Sequence, residues 1–154
     1  MLFLQFELGR DRYLLDVARI VEVLPMVDIR ALPQAPAGVA GICNYRGAPL
    51  PVIDLSRLML GVPARASMST RIVVVDYPNP HGEFVHRLGM IAERATQTQR
   101  LPADAFQDTG VDNPASPYLG PVATDEHGML QWVDASCLLP DSVRDLLFSA
   151  QEPA

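Results

Sequence analysis

Nothing in this 154-residue chain approaches the roughly 18 consecutive apolar residues that a membrane-spanning helix requires. Direct membrane insertion is not expected. Only two cysteines are present, Cys43 and Cys137, in apolar surroundings and at neither metal-type nor redox-type spacing. They suit buried thiols in a reducing cytosol and argue against a disulfide framework. The start, MLFLQFELGRDR, has no basic leader and no small-residue cleavage site, and its apolar residues alternate instead of running on. Met1 is expected to lead straight into a strand. Positive charge is also scarce: 12 Lys and Arg against 18 Asp and Glu leave a net charge of -6, which disfavours nucleic acid and anionic membranes. Protein partners fit this balance better.

The motifs of common chemistries are missing as well. There is no P-loop, no GxGxxG, no GxSxG elbow and no kinase signature. His81, His86 and His127 have no carboxylate or cysteine at ligand spacing, and a metal needs three or four converging ligands. Asp16, Glu22, Asp54, Asp76, Glu93 and Asp134 fall on separate segments, where carboxylates more often end or solvate a strand than work as an acid/base pair. No catalytic residue, cofactor or metal is assigned. A small β-barrel enzyme would need polar groups clustered in a pocket, and a nucleic-acid-binding barrel would need a basic face.

What the chain does have is length for one compact domain and 49% apolar residues, too many for disorder. It also has 14 prolines, which interrupt nearly every segment and leave little room for long helices. An all-β chain is predicted. In LFLQFEL, Leu2, Leu4, Phe6 and Leu8 share one face, and after the turn GRDR the alternation continues through Tyr13, Leu15 and Val17: a hairpin. IVEVL at 20–24 reads as a strand, GVAGI as a turn of helix, PLPVIDL at 49–55 as a strand, and SRLML as a helical turn capped by Ser56 and ended by Gly61. The polar stretch VPARASMSTR links two lobes, and RIVVVDY at 71–77 opens the second with a turn at PNPHGE. The segment RLGMIAERATQTQRL allows two strands or one helix. Residues 102–121 predict a long surface loop, GPVATDEHGMLQWVD a hairpin turning at Asp125 to Gly128, and PDSVRDLLFSA a short C-terminal helix.

In GICNYRGAPLPVIDL at 41–55, one arginine stands in an apolar run flanked by glycines. A charge costs several kcal/mol to bury unless it is paired, so Arg46 is either solvated or matched by a carboxylate. Gly41 and Gly47 read as turn glycines able to take positive φ. The succession FxLGxxxYLLDVxxIVEVL, LPxxPxxVxGICNYRGxPLPVIDL and RIVVVD resembles the CheW-like coupling domain of bacterial chemosensory systems. The match is strongest over residues 3–60, with the Asn-x-Arg-Gly turn at Asn44, Arg46 and Gly47 and the Pro-Val-Ile-Asp strand at Pro51 to Asp54. The later half is looser, since Ala92 and Glu93 depart from the family pattern.

The resemblance implies an all-β fold of two SH3-like five-stranded β-barrel lobes packed together, with short helical turns and a short C-terminal helix. It covers one domain over residues 1–150, with lobes at 1–62 and 70–139 and the helix at 140–150, and it favours strands in 84–101. It further implies a non-enzymatic cytoplasmic adaptor that joins the cytoplasmic hairpin of a chemoreceptor (methyl-accepting chemotaxis protein) to the regulatory domain of a CheA-type histidine kinase in receptor arrays. The alternative within the fold is a diverged relative serving surface sensing or second-messenger control, binding receptor with weak or no kinase binding. The partner-binding residues so implied are Ile20, Glu22, Val23, Gly41, Asn44, Arg46, Gly47, Val74, Ile91 and Ala92. Among them, Glu22 and Arg46 are expected to form an ion pair. The receptor is expected in a groove between the lobes, near Ile20, Gly41 and Val74, with Ile91 and Ala92 across from them.

Overall fold

Alternating apolar residues make the first hairpin, β1 (Leu2–Leu8) and β2 (Asp11–Asp16), which pair antiparallel with Phe6 opposite Tyr13. In the computed structural model, which describes residues 1–80 and 85–149, seven further strands follow. These are β3 (Ile20–Pro25), β4 (Val39–Tyr45), β5 (Ala48–Asp54), β6 (Arg71–Tyr77), β7 (His86–Arg100), β8 (Leu119–Asp125) and β9 (Gly128–Val133). Two short helices, α1 (Leu55–Leu60) and α2 (Asp141–Phe148), complete the described elements together with three single 3₁₀ turns.

The ambiguous stretch 86–100 is one continuous strand serving both lobes. Its first half, His86–Ala92, pairs with β6 on one side, and Gly89–Ile91 pair with β5 on the other. Its second half pairs with β1, and the switch falls at Glu93 and Arg94, where the ladder with β1 shifts register and Arg94 takes φ +51. Between its paired positions Glu93 and Gln97, β7 carries two more residues than β1 does between Gln5 and Glu7, and such a bulge turns the strand from one sheet into the next. Each sheet therefore has five strands: β3-β6-β7-β5-β4 in one and β7-β1-β2-β9-β8 in the other. The lobe limits of 1–62 and 70–139 are corrected by these pairings. The N-terminal hairpin joins the C-terminal strands, because β2 runs parallel to β9, while β3 to β6 form the other lobe.

Two other local expectations change. Four residues of GVAGI, Val39 to Ile42, belong to β4 instead of a helical turn, since their segment pairs with β5 and a long-range ladder outweighs the weak local preference of a Gly-rich pentapeptide. Asp54, not Ser56, caps α1: its Oδ1 accepts from the Ser56 and Arg57 N–H groups at 3.0 and 3.4 Å, and Oδ2 from Ala64 at 3.0 Å. Gly61 ends the helix at φ +77, as its sequence position predicts. Half of the expected turn PNPHGE, with His81, lies outside the described residues, as does Ala150 at the end of the expected C-terminal helix.

Burial explains the β-branched run of β6. Ile72 and Val74 point into one barrel with Cys43, Leu50, Val52 and Ile91, while Val73, Val75 and Tyr77 point into a second core shared by both lobes. That shared core holds Leu4, Phe6, Leu15, Met90 and Ala92, and α2 closes it with Leu147 and Phe148, the latter stacked on His86. A third cluster of Phe3, Leu14 and Leu130, with Phe106 and Trp132 packed against it, fills the other barrel. Both thiols lie in these apolar surroundings, and burial raises their pKa, which keeps them protonated. No helix among the described residues is long and apolar enough to cross a membrane.

Candidate partner-binding surface

The five-stranded sheet β3-β6-β7-β5-β4 curls until its two outer strands approach each other. After β3 the chain crosses to β4, where Arg30 exchanges both backbone hydrogen bonds with Ile42 at 2.8 and 2.9 Å. Gly41 makes the crossing possible. A Cβ there would stand 2.0 Å from the Arg30 carbonyl oxygen, so its φ of +148 serves a close backbone approach within this chain.

The hairpin from β4 to β5 turns through Arg46 and Gly47, both at positive φ (+52 and +83), with Tyr45 and Ala48 as the last pair. Two successive positive φ values mark a two-residue type I′ turn, which matches the twist of the flanking strands. Asn44 supports it by accepting the Gly47 N–H at 2.9 Å. An arginine at the first turn position is unusual, because only Gly, Asn and Asp visit this region readily. A strained residue of this kind is a pointer to function.

From that turn two side chains reach the opposite edge of the barrel. Arg46 Nη2 donates to Glu22 Oε1 at 2.8 Å, and the Tyr45 hydroxyl donates to the same oxygen at 2.7 Å. The Arg46 guanidinium also lies 5.4 Å from the Tyr45 ring centroid, within cation–π range. Glu22 sits on β3 and Tyr45 at the end of β4, so the three side chains clasp the outer strands of a sheet whose edges lack a continuous ladder there. The Tyr45 hydrogen bond, and then that of Arg46, hold the Glu22 carboxyl below its ordinary pKa; the same bond raises the Tyr45 phenol. The anion is thereby fixed, while the Arg46 side chain remains 74% exposed.

The remaining expected residues divide by burial. Val23 is exposed on β3, and Ile20 is half-buried at the rim of an open cleft of about 320 Å³ between the lobes, with Arg19, Val75, Tyr118 and Trp132. Val74, Ile91 and Ala92 are core residues, 0, 5 and 0% exposed, and present no side chain to a partner. Their expected place in an inter-lobe groove is corrected by the physics of β6 and β7, whose apolar runs are buried on both faces. Gly41 is likewise buried and occupied by its own chain. Tyr45 was not among the expected residues, although a hydrogen-bonding aromatic beside the turn arginine was visible in the sequence.

A CheW-like domain model matches residues 2–143. The chain belongs to the CheW-like family. Among its CheW-like relatives, Protein FrzA of Myxococcus xanthus is 31% identical over 134 residues, covering 87% of this chain and 74% of that protein. Chemotaxis protein CheW of Helicobacter pylori is 29% identical over 113 residues, covering 72% of this chain and 66% of that one. With Chemotaxis protein CheW of Treponema pallidum the match is shorter, 38% over 52 residues and 31% of that protein. The chain thus covers less than two thirds of the length of the two CheW proteins. The crystal structure of scaffolding protein TtCheW from Thermoanaerobacter tengcongensis superposes with a TM-score of 0.78 at 21% identity, over 92% of this chain and 89% of that one. The mostly-β, two-lobed CheW fold is therefore shared.

Proposed function

We propose that this CheW-like chain is a non-catalytic cytoplasmic scaffold of chemosensory signalling that couples a chemoreceptor's cytoplasmic hairpin to the regulatory domain of a CheA-type histidine kinase. The observation that carries the reading is the Glu22–Tyr45–Arg46 clasp: a fixed ion pair whose arginine is mostly exposed and stands on a strained turn, in a fold whose relatives include a scaffolding protein. An exposed ion pair contributes little to folding, so holding Arg46 in an unfavourable backbone region is better explained by recognition. Exposed Val23, next to Glu22 along β3, and half-buried Ile20 at the cleft supply apolar surface on the same strand. Val74, Ile91 and Ala92 act behind this surface by setting the position of β3 and β7.

Calorimetric titration into the kinase regulatory domain tests the reading. The wild-type chain is expected to bind, and Arg46→Ala, with an unchanged circular dichroism spectrum, to bind at least about tenfold more weakly, as truncation of an interface charge commonly does. Equal binding by the two would remove Arg46 from the interface.

A further inference from the structure

We propose that Tyr45 is a positioning residue of this surface: its hydroxyl and ring together hold Glu22 and Arg46 in a single arrangement, so that partner binding depends on a tyrosine at this place. The inference rests on the function proposed above and adds a residue to it. Glu22 Oε1 receives two donors, one from the Tyr45 hydroxyl at 2.7 Å and one from Arg46 at 2.8 Å, while Oε2 has no partner among the described residues. Two donors converging on one oxygen restrict the orientation of the carboxylate.

Without the phenol, Glu22 and Arg46 would meet through one N–H···O contact between two long side chains. Such contacts on a protein surface are weak because each partner loses rotamer freedom to make them. Tyr45 removes that freedom from both sides. Its hydroxyl takes the carboxylate, and its ring face lies against the guanidinium at 5.4 Å. The ring is itself held, since Tyr45 is half-buried and packs against the buried barrel cluster that contains Cys43, Leu50 and Val52. The tyrosine therefore transmits the rigidity of the barrel to the half-buried Glu22 and the exposed Arg46. Arg46 is left with most of its N–H donors directed to solvent, ready for an acceptor on a partner.

Two measurements on the full chain test the proposal. In the first, the Glu22 side-chain carboxyl is followed by ¹³C NMR against pH in wild type and Tyr45→Phe. Its titration midpoint is expected to rise in the variant, while the urea midpoint of unfolding stays near wild type; an unmoved carboxyl midpoint would overturn the positioning role. In the second, Tyr45→Phe, Glu22→Gln and the double variant are titrated into the kinase regulatory domain. Tyr45→Phe is expected to lose at least about fivefold in affinity in the wild-type background and less than about twofold when Glu22 is already Gln, because the tyrosine acts through the carboxylate. An equal loss in both backgrounds, or no loss, would overturn it. Failure of the wild-type chain to bind would overturn the coupling function, and with it the binding role of Tyr45. The carboxyl titration would still decide whether Tyr45 sets the Glu22 geometry.

Discussion

Gly41→Ala is expected to unfold this protein or lower its stability by more than about 3 kcal/mol, read as the shift in urea midpoint or as loss of soluble protein. The added Cβ would lie 2.0 Å from the Arg30 carbonyl oxygen, 2.7 Å from its carbon and 3.0 Å from the Ala31 Cα, all backbone atoms that no rotamer change can move. Relief requires separating Arg30 from Ile42 and breaking both hydrogen bonds that close the barrel after β3. The residue also has φ +148, which a side chain resists. Gly47→Ala is the matching control, because nothing lies within 4 Å of its Cβ position and only the positive φ opposes the change. That variant is expected to cost about 1 kcal/mol. A Gly41→Ala protein as stable as Gly47→Ala would show that the close approach at Arg30 does not hold the barrel shut.

The second large effect is expected at the other lobe, where Arg12 of β2 donates two hydrogen bonds to Asp125 at 2.8 and 2.6 Å and a third to the Gly128 carbonyl at 3.1 Å. This bidentate pair ties the turn between β8 and β9 to the N-terminal hairpin, and the two side chains are 13 and 26% exposed. Hydrogen bonding from Arg12 lowers the Asp125 carboxyl to about 2. Its unfolded value is near 3.9, so the pair's contribution is fully present above about pH 4 and is lost as pH falls through about 2. Asp125→Asn should therefore be less stable than wild type by about 1 to 2 kcal/mol at pH 7, after allowance for solvent screening of a partly exposed group. The difference should shrink towards zero near pH 2. Urea unfolding of both proteins across that range checks the sign, and a difference independent of pH would assign the loss to packing and not to the charge.

Much of this architecture was legible in the sequence for physical reasons that can be named. The alternation of Leu2, Leu4, Phe6 and Leu8 marks a strand, although Phe3 on its other face is buried as well, and the β-branched run of β6 marks a strand with two buried faces. Glu22 and Arg46 could be paired in advance because each is a single charge in an apolar segment and neither is cheaply buried alone. The sequence could not show that the N-terminal hairpin belongs with β8 and β9, since that follows from a parallel pairing between Tyr13 and Gln131. Nor could it show that β7 crosses from one sheet to the other, because the bulge at Arg94 depends on partners far along the chain. Gly41 was read as a turn glycine, but its reason for being glycine is the Arg30 carbonyl eleven residues away. Val74, Ile91 and Ala92 carried two meanings, core and contact, and only burial separates them. Tyr45 was passed over because an aromatic at a strand end is ordinarily a packing residue, and its hydroxyl becomes informative once Glu22 is seen on the opposing strand.

The coupling function is tested most directly by sedimenting receptor-containing membrane vesicles with the kinase regulatory domain, with and without this chain. The account predicts that the kinase domain sediments only when the wild-type chain is added and stays largely in the supernatant with Arg46→Ala. Sedimentation of the kinase domain to the same extent with and without the chain would contradict it.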